Sequence, residues 1–143
     1  MIKGNKSDGI VEIENLKINE GVYGLYADEG MKVIMRGCTV EDCQYGVIAD
    51  GADISCDDLQ VIGCGGSGVY ALSNATITLS GQGTTIQGNG TKGRSDHYGL
   101  NAWVDSSSTI HLVHPLTKEE ISTNNGGGRN WGGYSSMIEQ VSK

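Results

Sequence analysis

Apolar residues stand two apart in short runs, and the runs return on a schedule. Val11 and Ile13, Val33 and Met35, Ile54 and Cys56, Ile77 and Leu79, and Ile110 and Leu112 are five equivalent pairs. Each pair is followed by a last apolar position before a bend, at Ile18, Val40, Val61, Ile86 and Ile121. After the bend come Leu25, Val47, Val69 and Leu100, with Ala27, Ala49, Ala71 and Ala102 two residues on. Side chains two apart share one face of a strand, so each run predicts a short strand with one face inward. A glycine opens the post-bend strand of every copy, at Gly24, Gly46, Gly68, Gly99 and Gly132, in steps of 22, 22, 31 and 33 residues. Three short strands in about 22 residues make one triangular coil, and stacking sets like residues about 4.8 Å apart. Five such coils would give a rod roughly 24 Å tall. A fixed period of this length marks a solenoid.

A helical solenoid would need apolar spacing of three and four over long segments. These runs alternate over four or five residues, and 23 glycines in 143 residues oppose helix. The reading is therefore all-β. It divides the chain into a polar, flexible segment over 1–9, a β-solenoid over 10–136 and a capping tail or strand over 137–143.

The run Val33-Ile34-Met35-Arg36-Gly37-Cys38-Thr39-Val40-Glu41-Asp42-Cys43-Gln44-Tyr45-Gly46-Val47-Ile48 resembles the repeat of right-handed parallel β-helix proteins, the pectin-lyase-like group. The resemblance extends over about residues 10–135. It implies a right-handed, single-stranded parallel β-helix of about five coils. It implies no single activity, because that fold carries lyases, hydrolases, epimerases, phage spikes and plain binding modules. In the enzymes of the group, acidic residues on an outer face bind calcium or act as acid and base. Here the matching outward row is Glu14, Arg36, Asp57 and Ser80; the interposed cation makes it a charge ladder between strands. Asp53, Asp57 and Asp58 lack the spacing of a metal loop. No cofactor is expected, and Ca2+ is a candidate that no residue pattern supports.

The cysteines fall within the ladders. Cys38 shares a row with Leu16 and Leu59, Cys56 with Met35 and Leu79, and Cys43 with Cys64. They read as small, reduced, buried thiols, with a Cys43–Cys64 bridge between adjacent coils as the alternative. Without a Cys-x-x-Cys pair, zinc is not expected. No apolar run is long enough to span a membrane, and the N-terminus lacks a signal-peptide core. With reduced cysteines, this points to an intracellular protein or to a piece of a longer chain. A net charge of −7 disfavours a nucleic-acid partner.

Two bends are longer than the rest, over 87–98 and 122–131. They bring Arg94, Asp96, His97, Tyr98, Arg129 and Trp131 to adjacent coils, basic groups beside aromatics on an acidic protein. Extended loops on a rigid scaffold are where binding usually resides. Trp131 and Tyr98 offer flat faces, and the arginines offer forked donors for carboxylate or sulfate. A catalytic reading would make His97 the base, with Arg94 or Arg129 stabilising developing negative charge. A second exposed feature is the outward row Tyr26, Ile48, Tyr70, Asn101 and Tyr134, a contact surface or ordinary cross-strand stacking. Thr117 to Glu120 has capping-box spacing for one helical turn. Open coil ends need caps, so self-association through the ends is a further expectation. The sequence thus points to a non-enzymatic recognition or scaffold module, its partner a polysaccharide held by the two long loops or another protein chain. A small polysaccharide-active enzyme and a segment of a larger fibre or spike are the alternatives.

Overall fold

The structure is a computed structural model. It describes residues 9–103, 107–127, 129–133 and 137–142, together with the backbone of 2–4. The chain winds through three parallel sheets in turn. After β1 (Ile2–Gly4), the first coil is β2 (Ile10–Glu14), β3 (Lys17–Asn19) and β4 (Tyr23–Ala27). The second is β5 (Lys32–Arg36), β6 (Thr39–Glu41) and β7 (Tyr45–Asp50); the third is β8 (Asp53–Asp57), β9 (Gln60–Ile62) and β10 (Val69–Leu72). The fourth is β11 (Thr76–Ser80), β12 (Thr85–Gln87) and β13 (Tyr98–Ala102). The fifth holds β14 (Thr109–Val113), the single-turn helix α1 (Lys118–Ile121), β15 (Ser122–Thr123) and β16 (Arg129–Gly132), and β17 (Ile138–Val141) follows. The sheets run β1-β4-β7-β10-β13-β16, β2-β5-β8-β11-β14-β17 and β3-β6-β9-β12-β15. This is the parallel β-helix that the alternation demands.

Inward rows stack like over like. Val33, Ile54 and Ile77 lie in register across β5, β8 and β11, and so do Met35, Cys56 and Leu79. All are nearly or fully buried. Burying one such aliphatic side chain contributes about 1.5–3 kcal/mol, so the rows stabilise the stack along its whole length. The four cysteines are free, buried thiols.

Two corner rules make the coil repeat. Asn15, Gly37, Asp58 and Gly81 follow the in-register row Glu14, Arg36, Asp57 and Ser80, and all have left-handed φ, of 53°, 64°, 55° and 92°. Glycine, asparagine and aspartate are the residues that tolerate this conformation. The glycines at 24, 46, 68 and 99 have another reason. A Cβ on Gly46 would collide with the Gly68 carbonyl oxygen and the Val61 side chain, so the backbone can turn there only without one.

The structure corrects the sequence reading in two places. The segment 1–9, expected to be flexible, contributes β1, which pairs with β4 through Ile2–Leu25, Lys3–Tyr26 and Gly4–Ala27. The fifth copy also sits out of the expected alignment. Ile86 pairs with Ser122, Leu100 with Trp131 and Asn101 with Gly132. So Ser122 and not Ile121 takes the last pre-bend position, and Trp131 joins the row of Leu25, Val47, Val69 and Leu100, for which apolar spacing named no fifth member. The cause is α1, capped by Thr117, whose Oγ1 accepts from the Glu120 N–H at 3.3 Å. The turn ends on Ile121 and buries it, and it thereby takes that residue out of the strand count. The tail lays β17 along β14, from Ile110–Ile138 to Val113–Val141.

Candidate functional site

Alternation in the first sheet sends Leu25 and Ala27 inward and Tyr26 outward. The outward-pointing row continues in register through Ile48, Tyr70 and Asn101, but Ile48 and Asn101 are buried there, so it is not the continuous exposed stripe that the sequence suggested. Gly132 completes it, while Tyr134, the residue expected there, lies outside the described residues. A second aromatic row forms at the strand entry, where Tyr23 and Tyr45 are paired. Their rings stack with centroids 5.8 Å apart, and Tyr23 packs against Tyr26 at 5.1 Å. Tyr26 donates its hydroxyl to Asp50 Oδ2 at 2.6 Å. Together Tyr23, Tyr26, Tyr45, Ile48, Asp50, Tyr70 and Leu72 line an open groove of about 200 Å³. The Asp50 carboxylate raises the Tyr26 phenol well above its usual range, and burial pushes Tyr70 up to about 12. Both are therefore neutral hydroxyls at physiological pH. Trp103, 36% exposed, extends the aromatic surface beyond Tyr70 at 6.2 Å.

The long bend of the fourth coil is pinned from inside. Asn89 is fully buried. Its Oδ1 accepts the Cys64 N–H at 2.9 Å, and its Nδ2 donates to the Val61 carbonyl at 3.1 Å. Asn125 repeats the device one coil on, accepting the Asn89 N–H at 2.9 Å and donating to the Ile86 carbonyl at 3.1 Å. The shift that α1 imposes puts Asn125, three residues after Ser122, where Asn89 stands three residues after Ile86. Buried Ser67 holds the exit of the bend, its Oγ accepting from the Tyr98 N–H at 3.0 Å and from Asn101 Nδ2 at 3.1 Å. The two long bends touch through the Gly126 N–H, which donates to the Asn89 carbonyl at 2.7 Å.

Within this frame the expected site residues separate. Arg94 closes its fork on Asp96, Nε to Oδ1 at 3.1 Å and Nη2 to Oδ2 at 3.0 Å. The pair holds the Asp96 carboxyl below the usual carboxylate range. His97 is 8% exposed and meets the Tyr45 ring edge-on at 5.3 Å. Its Nε2 lies 3.3 Å from the Tyr45 hydroxyl, and among the described residues its buried Nδ1 has no hydrogen-bond partner. Burial chiefly, and Arg94 in part, lower its pKa below 6.5, against the pull of Asp96. His97 thus stands against Tyr45, one wall of the tyrosine groove, with the Arg94–Asp96 pair beside it. Tyr98 heads β13, half-buried and paired with Arg129 across the ladder. Arg129 stands exposed at the last coil with φ of 110°. Trp131 packs against the core, with Lys118 Nζ 5.3 Å above its ring. The tryptophan expected to offer a free face is therefore a closing piece of the coil stack.

Sequence reasoning found the Tyr26–Tyr70 row but missed Tyr23, Tyr45 and Asp50. The signal was there: Tyr23 and Tyr45 are 22 residues apart, one full coil. Asp28, Glu29 and Asp50 with Gly51, Ser73 and Asn74 border an adjoining acidic recess of about 370 Å³. Among the described residues, no group of three or more His, Cys, Asp or Glu side chains is placed to hold a metal ion. A wider cleft of about 480 Å³ lies between Thr84, Thr85 and α1. Among the described residues its one carboxylate, Glu120, accepts from Thr117 Oγ1 at 2.9 Å, so size and chemistry do not coincide there.

The family model described as right handed beta helix region matches residues 2–114. The chain belongs to that family. The match includes the tyrosine face and the bend over 87–98. No curated protein and no solved structure matches the chain.

Proposed function

We propose that this right-handed β-helix domain is a non-enzymatic recognition module that binds a neutral polysaccharide across the tyrosine groove. The observation that carries the reading is the outward set of tyrosines 23, 26, 45 and 70 around the Asp50 carboxylate. Stacked phenol rings present flat apolar surface with polar tips, and the apolar faces of pyranose rings match it. A carboxylate with several phenol hydroxyls supplies acceptors and donors for sugar hydroxyls. The groove is shallow and open, which suits one side of an extended chain better than an enclosed metabolite.

Charge selects among polysaccharides. Asp28, Glu29 and Asp50 lie at one side of the groove, and the nearby Arg94 fork is occupied by Asp96. A uronate or sulfate there would be repelled by these carboxylates, and the forked donor beside the groove is already taken. The sequence had placed the ligand between the two long loops; the tyrosine groove beside the first of them carries the better geometry. Of the groups considered for catalysis, His97 and Arg94 are engaged with Tyr45 and Asp96, and Arg129 stands on the last coil, paired with Tyr98 in the ladder; this supports recognition over turnover.

Thermal-shift and calorimetric titrations against cellohexaose, xylohexaose, mannohexaose, polygalacturonate and dextran sulfate, with and without Ca2+, test the proposal. A saturable rise in melting temperature is expected with a neutral hexasaccharide. Tyr26→Ala, Tyr70→Ala and Asp50→Asn should abolish it, and Trp131→Phe should keep it. A response to the acidic polymers alone would reject the neutral ligand. No response to any of them would reject carbohydrate recognition.

A further inference from the structure

We infer that His97 is a positioning residue: its Nε2–H, donated to the Tyr45 hydroxyl oxygen, turns the Tyr45 O–H toward the groove as a donor for a ligand hydroxyl. The inference rests on the recognition reading for its ligand, while the His97–Tyr45 pair stands on geometry. The imidazole is 8% exposed, and among the described residues its Nδ1 has no hydrogen-bond partner. A proton on Nδ1 would orphan a buried donor, an arrangement that folded proteins rarely keep. The neutral ring therefore carries its proton on Nε2, 3.3 Å from the Tyr45 oxygen. Tyr45 then accepts, and a phenol that accepts still has its own hydrogen to place.

The Tyr45 ring is fixed between two aromatics, stacked on Tyr23 at 5.8 Å and edge-on to His97 at 5.3 Å. Rotation about its C–O bond is the freedom left to the hydroxyl, and Tyr45 borders the groove. The groove thus offers a donor at Tyr45 and, at Asp50, an acceptor already taking the Tyr26 hydroxyl at 2.6 Å. Neighbouring hydroxyls of one sugar, each able to donate and accept, fit that pair. The charged groups facing His97 are Asp96, with Oδ1 4.0 Å from Nε2, and Arg94, which holds Asp96. Neither displaces Tyr45 as the nearest polar partner.

The test begins without ligand. Long-range 1H–15N correlation of the imidazole in 15N-labelled protein reads which nitrogen carries the proton. We expect Nε2 for neutral His97, and a changed Nε2 resonance in Tyr45→Phe, which keeps the ring and removes the acceptor. A proton on Nδ1, or a His97 signal indifferent to Tyr45→Phe, overturns the inference whatever the ligand. The second arm uses cellohexaose, xylohexaose and mannohexaose. Tyr45→Phe and His97→Leu should weaken binding about five- to tenfold, the loss of one hydrogen bond. His97→Gln, whose amide N–H reaches where Nε2–H did, should stay within about twofold. Equal losses for Gln and Leu would make His97 a packing residue only and overturn the inference. If no hexasaccharide binds the wild type, the recognition reading fails with the ligand half of this inference, and the tautomer result still decides the pair.

Discussion

Asn89 donates through Nδ2 to Asn125 Oδ1 at 3.1 Å, one coil to the next. Each of these side chains also caps the backbone of the coil before its own, so the long bends are hung on the core rather than draped over it. Asn89→Ala would strip partners from the buried Cys64 N–H and the Val61 carbonyl. Unmet buried groups cost about 1–3 kcal/mol each, so we expect a loss of about 2–4 kcal/mol in urea unfolding. Asn125→Ala should cost less, because it stands at the half-exposed end of the pair. Equal, negligible losses for both would show that the bends hold without the asparagines.

The His97 environment sets a pH window. Its folded-state pKa is lowered from 6.5, so below that value the unfolded chain binds the proton more readily than the folded one. Stability is then full above about pH 6.5 and is lost as pH falls through the folded pKa. Asp96 is also depressed, from 3.8, and adds its loss only in the more acid range. Melting temperature followed from pH 8 downward should decline in two stages, and His97→Gln should remove the first. A first stage that persists in His97→Gln would assign it elsewhere.

The glycines divide into those that need space and those that need a left-handed backbone. Gly46→Ala drives a methyl into the Gly68 carbonyl and Val61; overpacking of this kind costs about 1–3 kcal/mol. Gly93 has open space around it and φ of 75°, so Gly93→Ala pays only the backbone penalty of roughly 1 kcal/mol. Chemical denaturation of the two variants should rank them in that order. The reverse order would mean that the coil relaxes around Gly46.

Burial pushes the Cys64 thiol up to about 12 and raises Cys56 further above its ordinary value. The thiolate is the reacting species, so native protein at pH 8 should resist iodoacetamide for hours. Mass spectrometry should then show all 4 cysteines alkylated once the chain is unfolded. Rapid native labelling of Cys56 or Cys64 would contradict their burial.

The β-helix was legible because alternation and a 22-residue step are local properties of the chain. Residues two apart must share a strand face, and the unpaired edge of one coil can be met only by the next. The same reasoning recovered the Glu14–Arg36–Asp57–Ser80 row and the outward Tyr26–Ile48–Tyr70–Asn101 row. It slipped in the fifth coil, where one helical turn consumes residues that apolar counting assigns to strand, and Trp131 moves inward. The candidate site lay further out of reach. Tyr45 and His97 are 52 residues apart, and their contact depends on how a long glycine-rich bend folds back along the sheet. Periodicity settles which residues share a row. Where an irregular loop comes to rest is settled by buried partners such as Ser67 and Asn89, whose hydrogen-bonding groups must be satisfied in three dimensions.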